Sequence, residues 1–149
     1  MRPDDWLLLC RTVRFGETDA AGVVHFTHLL DWCHQAYEES LERFGIAAQE
    51  IFPTPSQTPA IALPIVQCRA EFRRPLVCGT PLSIRLEPQR LDPGSFEVTY
   101  RFHCDNEPVA LGQTRHLAIS SGERQRCSLP APINRWLEAS TVQAGVQPL

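Results

Sequence analysis

Lysine is absent from this chain: all 14 basic residues are arginine. Catalysis through a lysine amine is therefore excluded, and any anionic ligand must be held by guanidinium groups, backbone N–H groups or helix ends. The net charge of −3 supplies no field that would draw a nucleic acid. No apolar run approaches the roughly 20 residues of a membrane-spanning helix, and no basic-plus-apolar leader opens the chain. The expectation is a cytoplasmic protein without a membrane span. The 6 cysteines, Cys10, Cys33, Cys68, Cys78, Cys104 and Cys127, include no Cys-x-x-Cys pair, which argues against a metal site. Most fall on apolar faces and read as small buried hydrophobes. A Gly-x-Ser-x-Gly elbow is also missing, so serine-triad hydrolysis has no support.

What remains is an ordinary globular composition: 149 residues, 43% hydrophobic and 21% charged. It suits one domain over residues 1–140, with 141–149 read as a poorly ordered tail. Residues 6–15 read as a first strand. A helix is predicted from Thr27 to Phe44, because Leu29, Leu30, Cys33, Ala36, Tyr37, Leu41 and Phe44 recur at helical spacing. Thr27 is the expected N-cap and Gly45 the stop. The stretch from Pro53 to Pro64 reads as a loop.

Period-two alternation then marks strands over 65–73, 81–87, 95–104 and, less cleanly, 108–119. Turns fall at Cys78-Gly79, Asp92-Pro93-Gly94 and Asp105-Asn106. A short helix is expected over Ile133–Leu137. One long helix and about five one-sided strands can bury their apolar faces only if the sheet curls around the helix. The predicted class is α+β, with association into larger assemblies to cover what stays exposed.

The segment between the first strand and the long helix carries the chemistry. In Phe15-Gly16-Glu17-Thr18-Asp19-Ala20-Ala21-Gly22-Val23-Val24-His25-Phe26, a carboxylate is followed by small residues and then by a helix start. Free N–H groups there can stabilise developing negative charge. Asp19 is thus a candidate nucleophile or general base, and Gly22 lets the backbone approach a ligand. Glu17 reads as a solvated carboxylate. His25, His28, His34 and Asp31 invite a metal reading, but nine residues of helix spread them over more than one face. His25 and His28 are candidates for substrate contact or for plain helix-end polarity. Arg73 and Arg74 could meet phosphates or simply be solvated.

The order of strand, Asp loop, long helix and four strands resembles the hotdog-fold acyl-CoA thioesterases of the 4-hydroxybenzoyl-CoA thioesterase family. The likeness rests on the 15–26 run and on Phe72-Arg73-Arg74-Pro75-Leu76 followed by Cys78-Gly79, and it covers about residues 6 to 137. Within that family, His34-Gln35-Ala36-Tyr37-Glu38 is most similar to the cyanobacterial 1,4-dihydroxy-2-naphthoyl-CoA hydrolases of phylloquinone synthesis. The resemblance implies a hotdog fold and hydrolysis of an aromatic acyl-CoA. It implies Asp19 as the catalytic carboxylate, the Phe26 backbone N–H as oxyanion donor, and a homotetramer built from dimers. Coenzyme A is then part of the substrate, and no separate cofactor is expected. Phe26 stands where relatives often carry a hydroxylated aromatic, which leaves only its N–H for the carbonyl. The turn Leu91-Asp92-Pro93-Gly94 lacks the arginine pair of some relatives, so their CoA phosphate contacts do not transfer.

Overall fold

The computed structural model describes residues 1–145, with side chains through Thr141. In chain order the elements are α1 (Asp4–Leu7), β1 (Leu8–Thr12), a 3-10 turn (Phe15–Glu17), α2 (Thr27–Phe44) and α3 (Ala48–Ile51). They continue with β2 (Ile61–Ala62), β3 (Ile65–Phe72), β4 (Pro81–Asp92), β5 (Ser95–Cys104), β6 (Glu107–Leu117), β7 (Ile119–Ser120) and α4 (Ala131–Gly145). The main sheet runs β1-β4-β5-β6-β3 and is antiparallel throughout. A second antiparallel pair joins β2, inside the stretch expected to be loop, to β7.

Trp6 and Leu7 belong to α1 rather than to the first strand. Pro3 begins that turn at φ −52°, and Asp4 and Asp5 in its first turn suit the helix dipole. Helix α2 spans the residues the apolar spacing gave, and Gly45 ends it at φ +109°. Its N-cap, however, is Phe26, with Thr27 already helical. Thr27 Oγ1 is engaged instead with His25 Nδ1 at 2.8 Å. The buried face of α2 includes Trp32 and Ser40, which the apolar list omitted.

The helix covers the middle of the sheet, where Leu82, Ile84, Leu86, Phe96, Val98, Tyr100 and Phe102 are buried. Gly112 of β6 makes the close approach possible, because a Cβ there would collide with Cys33 Sγ of α2. The hairpin between β5 and β6 turns on Asp105 and Asn106, both at positive φ (52° and 65°), as a tight two-residue connection requires. The helix expected over 133–137 is the core of α4, which runs from Ala131 to Gly145. Of the tail, residues from 146 on lie outside the described part.

Two expectations about burial fail. All 8 residues of β3 are exposed, although Val66, Cys68, Ala70 and Phe72 alternate as a buried face would. The reason is position: β3 is the edge of the sheet, with one side unpaired, and the approach of α2 leaves its side chains exposed. Cys33 alone among the cysteines is buried, while Cys10, Cys68 and Cys78 are exposed and Cys104 and Cys127 are half-buried. Cys68 shares the uncovered edge strand, and Cys78 sits in a turn beside Gly79, whose φ is +90°.

Candidate active site

Backbone hydrogen bonds fold the 18–26 segment back on itself. His25 N–H donates to the Glu17 carbonyl (3.0 Å), Asp19 N–H to Val23 (2.8 Å) and Gly22 N–H to Asp19 (2.9 Å), while Thr18 and Val24 form an antiparallel bridge. Asp19 lies at the tip of this small hairpin. Its Oδ1 accepts the Ala21 N–H at 2.8 Å, and its Oδ2 has no hydrogen-bond partner among the described residues. Gly22 is at φ +81°, and nothing in the protein lies within 4 Å of where its Cβ would be. The backbone conformation, rather than crowding, asks for glycine there.

The other end of the hairpin is the start of α2. The Phe26 N–H donates to no described residue, and the Phe26 ring is 68% exposed. His25 packs against it with ring centroids 4.6 Å apart, and His28 lies edge-on to His25 at 6.4 Å. The structure therefore gathers Asp19, Gly22, His25, Phe26 and His28 around one hairpin and one helix mouth.

The hairpin is fastened to the sheet by Val24 N–H, which donates to the Leu76 carbonyl at 2.8 Å. That bond brings the segment after β3 alongside. Arg73 and Arg74 are on this segment, both exposed, and their N–H groups share the Val109 carbonyl. Their guanidinium groups pair with Glu71 and Glu107, respectively.

Glu17 is not the solvated carboxylate the sequence suggested. Its side chain is only 16% exposed. Oε2 accepts from Arg11 Nη2 (2.6 Å) and from the Trp32 indole Nε1 (2.8 Å), and Oε1 accepts the Arg14 N–H (2.8 Å). Burial pushes its carboxyl pKa up, but the Arg14 and Trp32 hydrogen bonds and the Arg11 charge outweigh that, and the net shift is downward. The Arg11 guanidinium also stacks over the Trp32 ring at 4.5 Å. Nothing in the spacing of residues 11, 17 and 32 announces this cluster, because they meet only through strand, turn and helix packing.

A cavity of about 420 Å³ on the α2 flank is lined by His34, Phe52, Pro53, Ile61, Leu63 and Ile65 among others. It is mainly apolar, and His34, paired with Glu38 at 2.7 Å, brings a polar ring to it. Asp19 does not line it and is exposed in the single chain. Strand β3, 8 residues and about 25 Å long, runs from Ile65 at this cavity toward the segment beside the Asp19 hairpin. No group of three or more His, Cys, Asp or Glu side chains among the described residues is arranged to hold a metal ion.

A five-stranded antiparallel sheet on one long helix, with a carboxylate hairpin leading into that helix, is the hotdog fold of thioesterases. The pattern of the Thioesterase-like superfamily matches residues 13–137, and the chain belongs to that superfamily. A 1,4-dihydroxy-2-naphthoyl-CoA hydrolase from Synechococcus sp. (strain CC9311) is 61% identical over 142 residues, 93% of each chain. Another so named, from Prochlorococcus marinus (strain MIT 9303), is 53% identical over 95% of this chain and 96% of its own. The crystal structure of a putative thioesterase from Prochlorococcus marinus MIT 9313 superposes with a TM-score of 0.91 at 52% identity, covering 94% of this chain and 99% of that one. A 1,4-dihydroxy-2-naphthoyl-CoA thioesterase from Synechocystis gives a TM-score of 0.79 at 30% identity, over 88% and 94% of the two chains.

Proposed function

We propose that this protein hydrolyses 1,4-dihydroxy-2-naphthoyl-CoA to the free naphthoate and coenzyme A, a step of phylloquinone synthesis. The observation that carries the reading is the end-to-end likeness to hydrolases named for that substrate. The Asp19 hairpin supplies the chemistry. The thioester carbonyl oxygen lies against the Phe26 N–H, with the positive end of the α2 dipole behind it. Asp19 either takes a proton from water as that water attacks the acyl carbon, or attacks the carbon itself to give a mixed anhydride that water then opens. In both routes the C–S bond breaks and coenzyme A leaves as a thiolate, so no strong general acid is needed. In this reading His25 and His28, packed at the helix mouth, and Arg73 and Arg74, on the segment after β3, meet the rest of the substrate. The cytoplasm, where CoA thioesters are made, is the compartment this reading assigns.

A single chain leaves Asp19 unwalled, and the exposed β3 edge offers the remedy. Antiparallel pairing of two β3 edges about a two-fold axis lays the Ile65 end of one strand against the Phe72 end of the other. The apolar cavity of one protomer then approaches the Asp19 hairpin of its partner. In this reading the assembly is a homotetramer made of two such dimers.

The test is a thiol-release assay with wild-type protein and Asp19→Asn. The variant should lose at least about 100-fold in kcat with its fold intact, the scale of one general-base contribution. Near-normal hydrolysis by Asp19→Asn removes Asp19 from the mechanism. A wild-type preference for 4-hydroxybenzoyl-CoA or a short-chain acyl-CoA over the naphthoyl thioester moves the substrate assignment.

A further inference from the structure

We propose that Glu17 is the positioning residue for Asp19, acting through a three-sided clamp with Arg11 and Trp32. The proposal rests on the catalytic role given to Asp19 above. Glu17 is the point where the hairpin, the first strand and the long helix are joined. Its carbonyl closes the hairpin by accepting the His25 N–H at 3.0 Å, one residue before Phe26. One carboxylate oxygen ties down the turn through Arg14, and the other is shared by Arg11 of β1 and Trp32 of α2.

Each partner is fixed in turn. Trp32 is 1% exposed and lies 6.2 Å from Phe102 in the sheet. Arg11 donates to Gln35 of α2 at 3.1 Å and stacks on the same indole. The Arg11 Nε is buried without a partner, so this guanidinium depends on Glu17 for its compensating charge.

The consequence is geometric. The clamp sets where the hairpin stands relative to the first turn of α2, and hence the spacing between the Asp19 carboxylate at its tip and the Phe26 N–H at its base. Reactions of this kind are steeply sensitive to such spacing, with a misplacement of about 1 Å costing about 100-fold. Both Glu17 carboxylate oxygens are engaged within the fold, so it should act on kcat and leave binding alone.

Glu17→Gln keeps the shape and removes the charge, and Trp32→Phe removes one donor while sparing the ion pair. Both are expected to lower kcat by about 10- to 100-fold with KM within about twofold of wild type. Placed on Asp19→Asn, Glu17→Gln should cause no further loss, because the group it positions is already gone. Hydrogen exchange reads the clamp without reference to activity: the Asp19 and His25 amides should exchange at least about tenfold faster in Glu17→Gln, while the amides of β4 and β5 are unchanged. Unchanged exchange at Asp19 and His25 overturns the clamp whether or not the protein turns over any thioester. Unchanged kcat in Glu17→Gln, with Asp19→Asn inactive, overturns the positioning role. A wild-type protein inactive on every thioester, but with loosened exchange in Glu17→Gln, counts against the hydrolase reading and leaves the clamp standing.

Discussion

At the scale of single residues, the contact between Gly112 and Cys33 decides how closely α2 sits on the sheet. Cys33 is buried with 0% exposure, and burial pushes its thiol pKa far up, so it behaves as a small neutral filler. A methyl group at position 112 would drive into its sulfur. Gly112→Ala should therefore destabilise the protein by about 1–3 kcal/mol, the usual range for overpacking. Cys33→Ala vacates the space, so the double variant should recover much of that loss. Urea unfolding of the single and double variants reads both numbers, and simple additivity would show that the two side chains do not compete for the same volume.

At the scale of elements, β3 is the exception in an otherwise one-sided sheet. An edge strand with unpaired N–H and C=O groups and an exposed apolar row invites pairing. Val66 is 52% exposed, and Ile65 and Phe72 flank it at 38% and 36%. If two β3 edges meet with Ile65 opposite Phe72, Val66 lies opposite the partner's Glu71, and Val66→Glu sets like charges across the joint. The expected result is a fall in sedimenting mass toward the 16.8 kDa of one chain, with the circular dichroism of the fold retained. A variant that sediments like wild type would place the interface elsewhere, and a wild-type chain that is monomeric at micromolar concentration would refute association altogether.

At the scale of the whole molecule, a polar group at the meeting point of helices and sheet sets the response to acid. His116 of β6 is 1% exposed, stacked on Phe96 at 4.5 Å and packed against Tyr37 of α2. Its Nε2 is bonded to Thr114 Oγ1 at 2.8 Å, and Thr114 in turn to Tyr100 Oη at 2.9 Å. Burial, and secondarily the nearby His34, lower its pKa to about 3. The unfolded chain would titrate this group near 6.5, so between those values the unfolded state binds more protons and stability must fall as pH falls. The contribution at pH 5 is about 2 kcal/mol. Glu17 works in the same direction at lower pH, because its depressed pKa gives stability that is lost on protonation. Urea midpoints measured from pH 7.5 to 5 should decline in the wild type and much less in His116→Gln. A flat wild-type profile would mean that His116 is readily protonated in the fold.

The sequence alone determined the long helix, the succession of the main strands along the chain and the Asp19 segment, while their order in the sheet came from the tertiary structure. Those features are local: helical and two-residue periodicities, a left-handed glycine stop, and a carboxylate next to a helix start are all written in neighbouring residues. Gly45 and the Asp105-Asn106 turn were legible for the same reason, since only backbone conformation is at stake. Sequence patterning did not show α1, the exposure of β3 or the half-buried, paired state of Glu17. The last two depend on what comes to lie opposite a residue from far along the chain. The same alternation in β3 would mark a buried face had the strand lain inside the sheet rather than at its edge, and Glu17 would have been solvated without Arg11 and Trp32 to receive it. Burial and charge compensation are properties of packing between elements, and only the tertiary structure decides them.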